Sequence, residues 1–259
     1  MSDHATAAPS PLLSRVDAVI VDLDGTMVDT MGDFNEAIKR MLAELALPAI
    51  CAGHIEHMVG KGSEHLLHSV LNHVLEPMDQ AQRAIKIESL YPEVWASYQR
   101  HYLAINGQYA TVYAGVPEGL AALRAVGLRL ACLTNKPTDF ALPLLQSKGL
   151  DGYFDKVFGG DAFERKKPDP LPLLKTCEAL GTVPARTLMV GDSSNDAQAA
   201  RAAGCPVVLV TYGYNHGQPV RAVDADGFVD SLADVAGLAS TTAVAAEAAT
   251  AAAGRAVHP

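Results

Sequence analysis

The chain is short of cations. Its 259 residues carry 20 Lys and Arg against 29 Asp and Glu, a formal net charge of −9. Polyanions are gripped by clustered Lys and Arg, so this balance argues against nucleic acid and anionic membrane surfaces as partners. Cysteine is scarce as well. Cys51, Cys132, Cys177 and Cys205 lie far apart, without the Cys-x-x-Cys spacing of a zinc site. They read as small apolar fillers in a reducing compartment. No apolar run is long enough to cross a bilayer and no signal-peptide pattern opens the sequence, so a cytoplasmic location is expected. Apolar residues, at 49%, are abundant enough for a sizeable core, and the length suits a core with an inserted subdomain.

The most informative stretch is Val19-Ile20-Val21-Asp22-Leu23-Asp24-Gly25-Thr26. Val and Ile crowd its first half, the pattern of a strand buried on both faces. Gly25 stops the strand and lets the chain turn. Ligands of open α/β sheets sit beyond the carboxyl ends of strands. Asp22 and Asp24 are therefore expected at a site, with Leu23 pointing the other way between them. Two carboxylates this close repel each other and are costly to bury without a cation between them, which calls for a hard divalent metal, Mg²⁺ first. Alone, Asp-x-Asp equally describes a solvated acidic turn. Three further polar strand-ends weigh against that.

Residues 1–14 lack periodicity and read as a mobile tail. A first strand is expected at about 17–23. Phe34, Ile38, Met41, Leu42 and Leu45 then share one helical face up to Pro48. No strand pattern occurs over 30–114. Helices are expected there at about 31–45, 52–58, 63–75 and 77–106, with Pro92 breaking or kinking the last. Strands resume at about 128–133, 154–158, 188–190 and 207–210, with helices between them at 118–126, 140–148, 170–180 and 195–203. This alternation predicts an α/β fold with a doubly wound parallel (Rossmann-like) sheet. Residues 15–29 and 115–240 would form the core, and 30–114 a helical cap inserted after the first strand. Residues 227–229 add an edge strand followed by a short helix. Residues 241–259, Ala-rich without an apolar stripe, are expected to be disordered or a frayed helix.

The second core strand ends in Thr134-Asn135-Lys136, where a hydroxyl and an amide suit either an anion or a helix cap. After the third strand comes Arg165-Lys166-Lys167-Pro168, which reads as a basic turn or as a lysine able to reach back to the strand ends. Both lysines are candidates. The fourth strand ends in Gly191-Asp192-Ser193-Ser194-Asn195-Asp196. Asp192 would face the same crevice as Asp22, and Asp196 would hold a lysine or a metal-bound water. Ser194 or Asn195 could cap the following helix. Together these residues describe a phosphoryl-transfer site. Asp22 would be the nucleophile and Asp24 the general acid and then base. Lys167 with Mg²⁺ would neutralise the phosphoryl group. Thr134 and backbone N–H groups after Asp22 would cradle it.

At these residues the chain resembles the haloacid dehalogenase superfamily of phosphatases, through four ordered motifs: Asp22-Leu23-Asp24-Gly25-Thr26, Thr134-Asn135, Lys167-Pro168 and Gly191 to Asp196. The resemblance implies Mg²⁺ held by Asp22, the backbone carbonyl of Asp24, and Asp192. It implies Gly25, Thr26, Thr134 and Asn135 around the phosphate and a helical cap after the first strand, and it favours Lys167 over Lys166. Asp24 speaks against the dehalogenase branch, which lacks it. Leu133 to Thr138, Gly159-Gly160-Asp161, Ala202 to Pro206 and Thr211 to Asn215 are similar to the bacterial phosphoglycolate phosphatase branch. That likeness implies hydrolysis of 2-phosphoglycolate to glycolate and phosphate.

Gly60-Lys61-Gly62 resembles a cap loop that faces the site in such enzymes, where Lys61 could meet a substrate carboxylate or simply be solvated. The middle residue is commonly polar and non-basic there, so Lys61 is a departure. His54/His57 and His65/His68, three apart, read as solvated faces before metal ligands. Tyr91, Trp95, Tyr98 and Tyr102 form a helical stripe suited to cap core or a subunit contact. The expected partner is a small phosphorylated substrate, and the expected state a monomer or homodimer. The alternatives are a phosphatase or phosphomutase for another small ester, a phospho-Asp receiver, or a non-catalytic binding protein. Against a receiver, the third strand carries no phosphoacceptor at its end.

Overall fold

Six short parallel strands, the central four buried and the two edge strands partly exposed, set the layout. The computed structural model describes residues 16–236; the two tails expected at the ends lie outside the described residues. The strands are β1 (Ala18–Val21), β4 (Arg129–Leu133), β5 (Lys156–Phe158), β6 (Thr187–Gly191), β7 (Val207–Val210) and β8 (Gly227–Val229), in the order β5-β4-β1-β6-β7-β8. All four β1 residues have no exposed surface. At about 2 kcal/mol per buried branched side chain, this one strand contributes heavily to the core.

Alternation along the strands feeds two layers. Val19, Val21 and Leu23 join Leu130, Cys132, Leu188 and Val190 under α5 (Val116–Ala125) and α6 (Thr138–Ser147). Ala18 and Ile20 join Ala131, Leu133, Met189 and Val207 under α7 (Leu171–Leu180) and α8 (Ser194–Ala203). The sheet is therefore wound on both faces, as the alternation predicts. Strand order reverses at β1: the chain runs to β4 and β5 on one side and to β6, β7 and β8 on the other. A crevice opens at such a switch point beyond the carboxyl ends of the strands. Val21 is level with Cys132 and Val190, so the residues after all three converge there.

Between β1 and β4 stand α1 (Met31–Glu44), α2 (Ala52–Glu56), α3 (Ser63–Val74) and α4 (Gln80–Ile105), with a core of their own that includes Ile38, Met41, Leu67, Val70, Tyr98 and Tyr102. Phe140 of α6 completes it. Two features depart from expectation. Residues 30–114 contain a strand: β2 (Val28–Asp29) pairs antiparallel with β3 (Thr111–Val112) at the base of the insertion. Two-residue strands leave no periodicity to read. And α4 runs unbroken for 26 residues through Pro92. Pro92 and Glu88, whose carbonyl loses its usual partner, are both exposed, so water can replace the missing bond. Where the insertion returns to the sheet, buried Asp33 accepts the N–H groups of Gly107 (2.7 Å) and Tyr109 (2.8 Å). No helix among the described residues is long and apolar enough to cross a membrane.

Candidate active site

Asp22 leaves β1 on the α7/α8 face, the side of Ile20, while Leu23 packs on the other, as strand alternation demands. Its Oδ1 accepts the Leu23 N–H at 2.8 Å and lies 3.0 Å from Lys167 Nζ. Lys167, not Lys166, is the lysine the fold buries. Its side chain is 2% exposed and also donates to Asp196 Oδ1 (2.7 Å) and the Leu133 carbonyl (2.9 Å). The Lys167–Pro168 peptide is cis. Asn135 holds this loop from both sides, donating to the Lys167 carbonyl (2.8 Å) and accepting its N–H (3.0 Å).

Asp196 stands in the first turn of α8 and its other oxygen accepts from Ser193 Oγ (2.8 Å) and Ser193 N–H (3.2 Å). Ser193, rather than Ser194 or Asn195, is the N-cap residue. Asp192 accepts the Tyr214 N–H at 2.7 Å and the Thr26 hydroxyl at 3.4 Å. A Cβ at Gly25 or Gly213 would run into the Asp192 carboxyl, and Gly25 has φ +79°, so both positions need glycine.

Asp22, Asp192 and Asp196 each place a carboxylate oxygen within 4.8 Å of the others, and all three are buried. Only Lys167 balances them. Burial, opposed by Lys167 and reinforced by Asp196, pushes the Asp22 carboxyl up to about 7. Burial, then Asp196 and Asp22, raises Asp192 well above the carboxylate range. Burial works against the Lys167 charge, but Asp196 and Asp22 more than offset it, and the ammonium titrates above the ordinary lysine range. This is a site with surplus negative charge and hard oxygen donors, which fits a divalent cation such as Mg²⁺. Both Asp196 oxygens take short bonds, from Lys167 and Ser193, whereas Asp192 Oδ1 takes a long one from Thr26 (3.4 Å), so Asp22 and Asp192 are the carboxylates with capacity for it.

Asp24 faces the same partly open cavity, of about 30 Å³, which the insertion covers from above with Phe34, Val59, Gly60, Gly62, Ser63 and Leu66. Thr134, Asn135, Lys136, Tyr214, Asn215 and His216 complete the wall. Gly25 and Thr26 are not in that wall; they pack behind Asp192. Lys61 is exposed and does not line it either, whereas the Gly60 carbonyl accepts from Asn135 Nδ2 and Asn195 Nδ2, both at 3.1 Å. Those two bonds and the His216 ring nitrogen against the Val59 carbonyl (2.8 Å) tie insertion to core.

Several residues of the site have roles that the sequence does not assign. Lys136 is buried, with Nζ 2.9 Å from Asp24 Oδ1 and 2.6 Å from the Tyr102 hydroxyl, and with the Phe34 and Tyr102 rings at 4.6 and 4.7 Å. Thr30 also donates to Asp24, at 2.8 Å. Tyr102 thus does more than fill the insertion's core. Its position next to Thr134-Asn135 was the one hint for Lys136. His68 stacks on Tyr91, His54 packs tilted against His73, and among the described residues no histidine joins a group of three or more side chains able to hold a metal.

The haloacid dehalogenase-like hydrolase family matches residues 19–210. A phosphoglycolate phosphatase of Thiobacillus denitrificans is 44% identical over 221 residues, covering 85% of this chain and 94% of that protein. A phosphoglycolate phosphatase of Nitrosospira multiformis is 46% identical over 220 residues, covering 84% and 92%. The crystal structure of a predicted phosphoglycolate phosphatase from Haemophilus somnus 129PT superposes with a TM-score of 0.75 at 30% identity, covering 85% of this chain and 96% of that one.

Proposed function

The chain belongs to the haloacid dehalogenase-like hydrolases, and from that we propose that it hydrolyses 2-phosphoglycolate to glycolate and phosphate through an aspartyl phosphate on Asp22. The observation that carries the reading is the pairing of Asp22, buried in a cluster of three carboxylates beside Lys167, with a second carboxylate, Asp24, on the wall of one cavity. The named substrate rests on the two relatives' activity.

In the first half-reaction an Asp22 oxygen bonds to phosphorus as the ester P–O bond breaks. Asp24 gives its proton to the departing glycolate oxygen. In the second, Asp24 takes a proton from water, whose oxygen bonds to phosphorus and frees Asp22 and inorganic phosphate. Lys167 keeps positive charge beside the transferring group and orients Asp22. Thr134, on the cavity wall, offers its hydroxyl to phosphoryl oxygens. Asp22, Asp192 and the Asp24 carbonyl would hold Mg²⁺, which would supply Lewis-acid neutralisation of phosphoryl charge. Residues 30–114 act as a cap that opens for exchange, because Phe34, Val59, Gly60, Gly62, Ser63 and Leu66 of the insertion lie over the catalytic carboxylates. We place the reaction in the cytoplasm.

Phosphate release from a panel of small esters with Mg²⁺ tests the substrate. A preference for 2-phosphoglycolate of about 100-fold or more in kcat/KM supports it, and flat, weak turnover of all esters would leave the mechanism without that substrate. The metal has its own signature. Bound Mg²⁺ needs ionised carboxylates, and Asp22 and Asp192 hold protons to unusually high pH. The Mg²⁺-induced rise in Tm is therefore expected to be larger at pH 8 than at pH 5.5, with apparent affinity below pH 7 increasing by up to about tenfold per pH unit for each carboxylate that must lose its proton. Equal shifts at both pH values would contradict it.

A further inference from the structure

The site holds two buried lysines, and the reaction so far uses one. Lys167 is committed to Asp22, Asp196 and the Leu133 carbonyl. The side chain of Lys136 is 1% exposed, and its ammonium meets only Asp24 and the Tyr102 hydroxyl, between two aromatic rings. Burying an ammonium costs several kcal/mol, and the rings and a phenol return only part of that. Nor does a carboxylate that must take up and release a proton gain from a lysine fixed 2.9 Å away. The placement is explained if the lysine has a second anion to hold during the reaction.

We infer that Lys136 is the specificity-determining residue that binds the carboxylate of the leaving group. The inference rests on the reading of Asp24 and of the substrate given above. Asp24 contacts the bridging oxygen when it protonates it, so Lys136 Nζ, bound to the same Asp24 carboxyl, lies beside whatever that oxygen carries. In 2-phosphoglycolate one methylene separates the bridging oxygen from a carboxylate. That spacing sets the carboxylate against the cavity-lining ammonium, while the phosphoryl group stays at Asp22. An ester with a neutral leaving group leaves Lys136 on Asp24.

The remaining contacts make this selection depend on the insertion. Lys136 belongs to the core, at the end of β4, but Tyr102 is on α4 and Phe34 on α1. The carboxylate pocket is complete only when the insertion is seated, so the leaving group and the closed state favour each other. Lys61, exposed on the outer loop, takes no part. The lysine that reads the substrate comes from the core strand-end.

The test compares 2-phosphoglycolate with n-propyl phosphate, of similar size and without the carboxylate, in the wild type, Lys136→Met and Lys136→Arg. Lys136→Met is expected to lower kcat/KM for 2-phosphoglycolate by about 100-fold more than for propyl phosphate, and Lys136→Arg to keep the preference within about tenfold. Tyr102→Phe, which removes a single hydroxyl, is expected to raise KM for 2-phosphoglycolate several-fold more than for propyl phosphate, and serves if Lys136→Met does not fold. Equal losses on the two esters overturn the inference, because a lysine that only positions Asp24 would produce them. A wild-type preference that survives in Lys136→Met overturns it alone. A wild type indifferent between the esters overturns the substrate reading as well.

Discussion

Asp22→Asn is expected to lower phosphate release by about 10⁴-fold or more without disturbing the fold, as loss of a nucleophile does elsewhere. The amide keeps an oxygen for the Leu23 N–H but no longer attacks phosphorus. The same change is expected to raise Tm in metal-free buffer at neutral pH. The Asp22 carboxyl titrates at about 7 in the fold against an ordinary 3.8, so the ionised form is what the fold disfavours. Its contribution is unfavourable above the ordinary value, grows as pH climbs toward 7, and vanishes below about 3.8. The gain from Asp22→Asn should accordingly shrink at pH 4.5, as melting curves at the two pH values will read. Residual activity above about a tenth of wild type would place the nucleophile elsewhere.

Lys167→Met has the second largest expected effect, and it falls on stability as well as rate. The substitution leaves Asp22, Asp192 and Asp196 buried together without their one cation. Breaking a buried ion pair from one side costs about 3–5 kcal/mol. The loss is expected to be greatest at pH 8 and to ease as pH falls, because the stranded carboxylates can then take up protons. Mg²⁺ should recover part of it, since it supplies positive charge to the same cluster. Turnover is expected to drop by about 10³-fold, because neither the phosphoryl charge nor Asp22 is then held. Denaturant titration with and without Mg²⁺, beside a phosphate-release assay, measures all three. A stability loss independent of pH would mean that Lys167 acts through packing of its chain and not its charge.

These two residues were both legible from the primary structure, and it is instructive that Lys136 was not. Asp22 and Lys167 belong to short motifs whose residue types carry the chemistry: acid-x-acid after an apolar strand, lysine before proline. Lys136 sits beside Thr134-Asn135, yet nothing local distinguishes it from a solvated lysine. Its burial depends on Phe34 and Tyr102, both more than 30 residues earlier in the chain. Tyr214 and Asn215 stand out in the sequence within Thr211 to Asn215 and His216 does not, and the work of the three on Asp192, Ser194 N–H and the Val59 carbonyl is visible only in the fold. Gly25 and Thr26 add a local reason to the motif: both pack against Asp192, and the close approach of its carboxyl accounts for glycine at position 25.

What the sequence determined by itself is therefore what local chemistry can specify. Strand-length apolar runs ending in polar residues, in alternation with amphipathic helices, led to a doubly wound sheet, an inserted helical segment and four strand-end motifs. The tertiary structure decided the rest. The β5-β4-β1-β6-β7-β8 order brings the ends of β1, β4 and β6 side by side, a matter of non-local pairing with no trace in any one segment. It chose Lys167 over Lys166, because the loop locked by Asn135 aims only one of them inward. It carried α4 through Pro92, since solvent reaches the carbonyl the proline cannot serve. And it buried a second lysine on the acid–base side of the cavity, because the aromatic faces that enclose it come from α1 and α4, which only folding brings above β4.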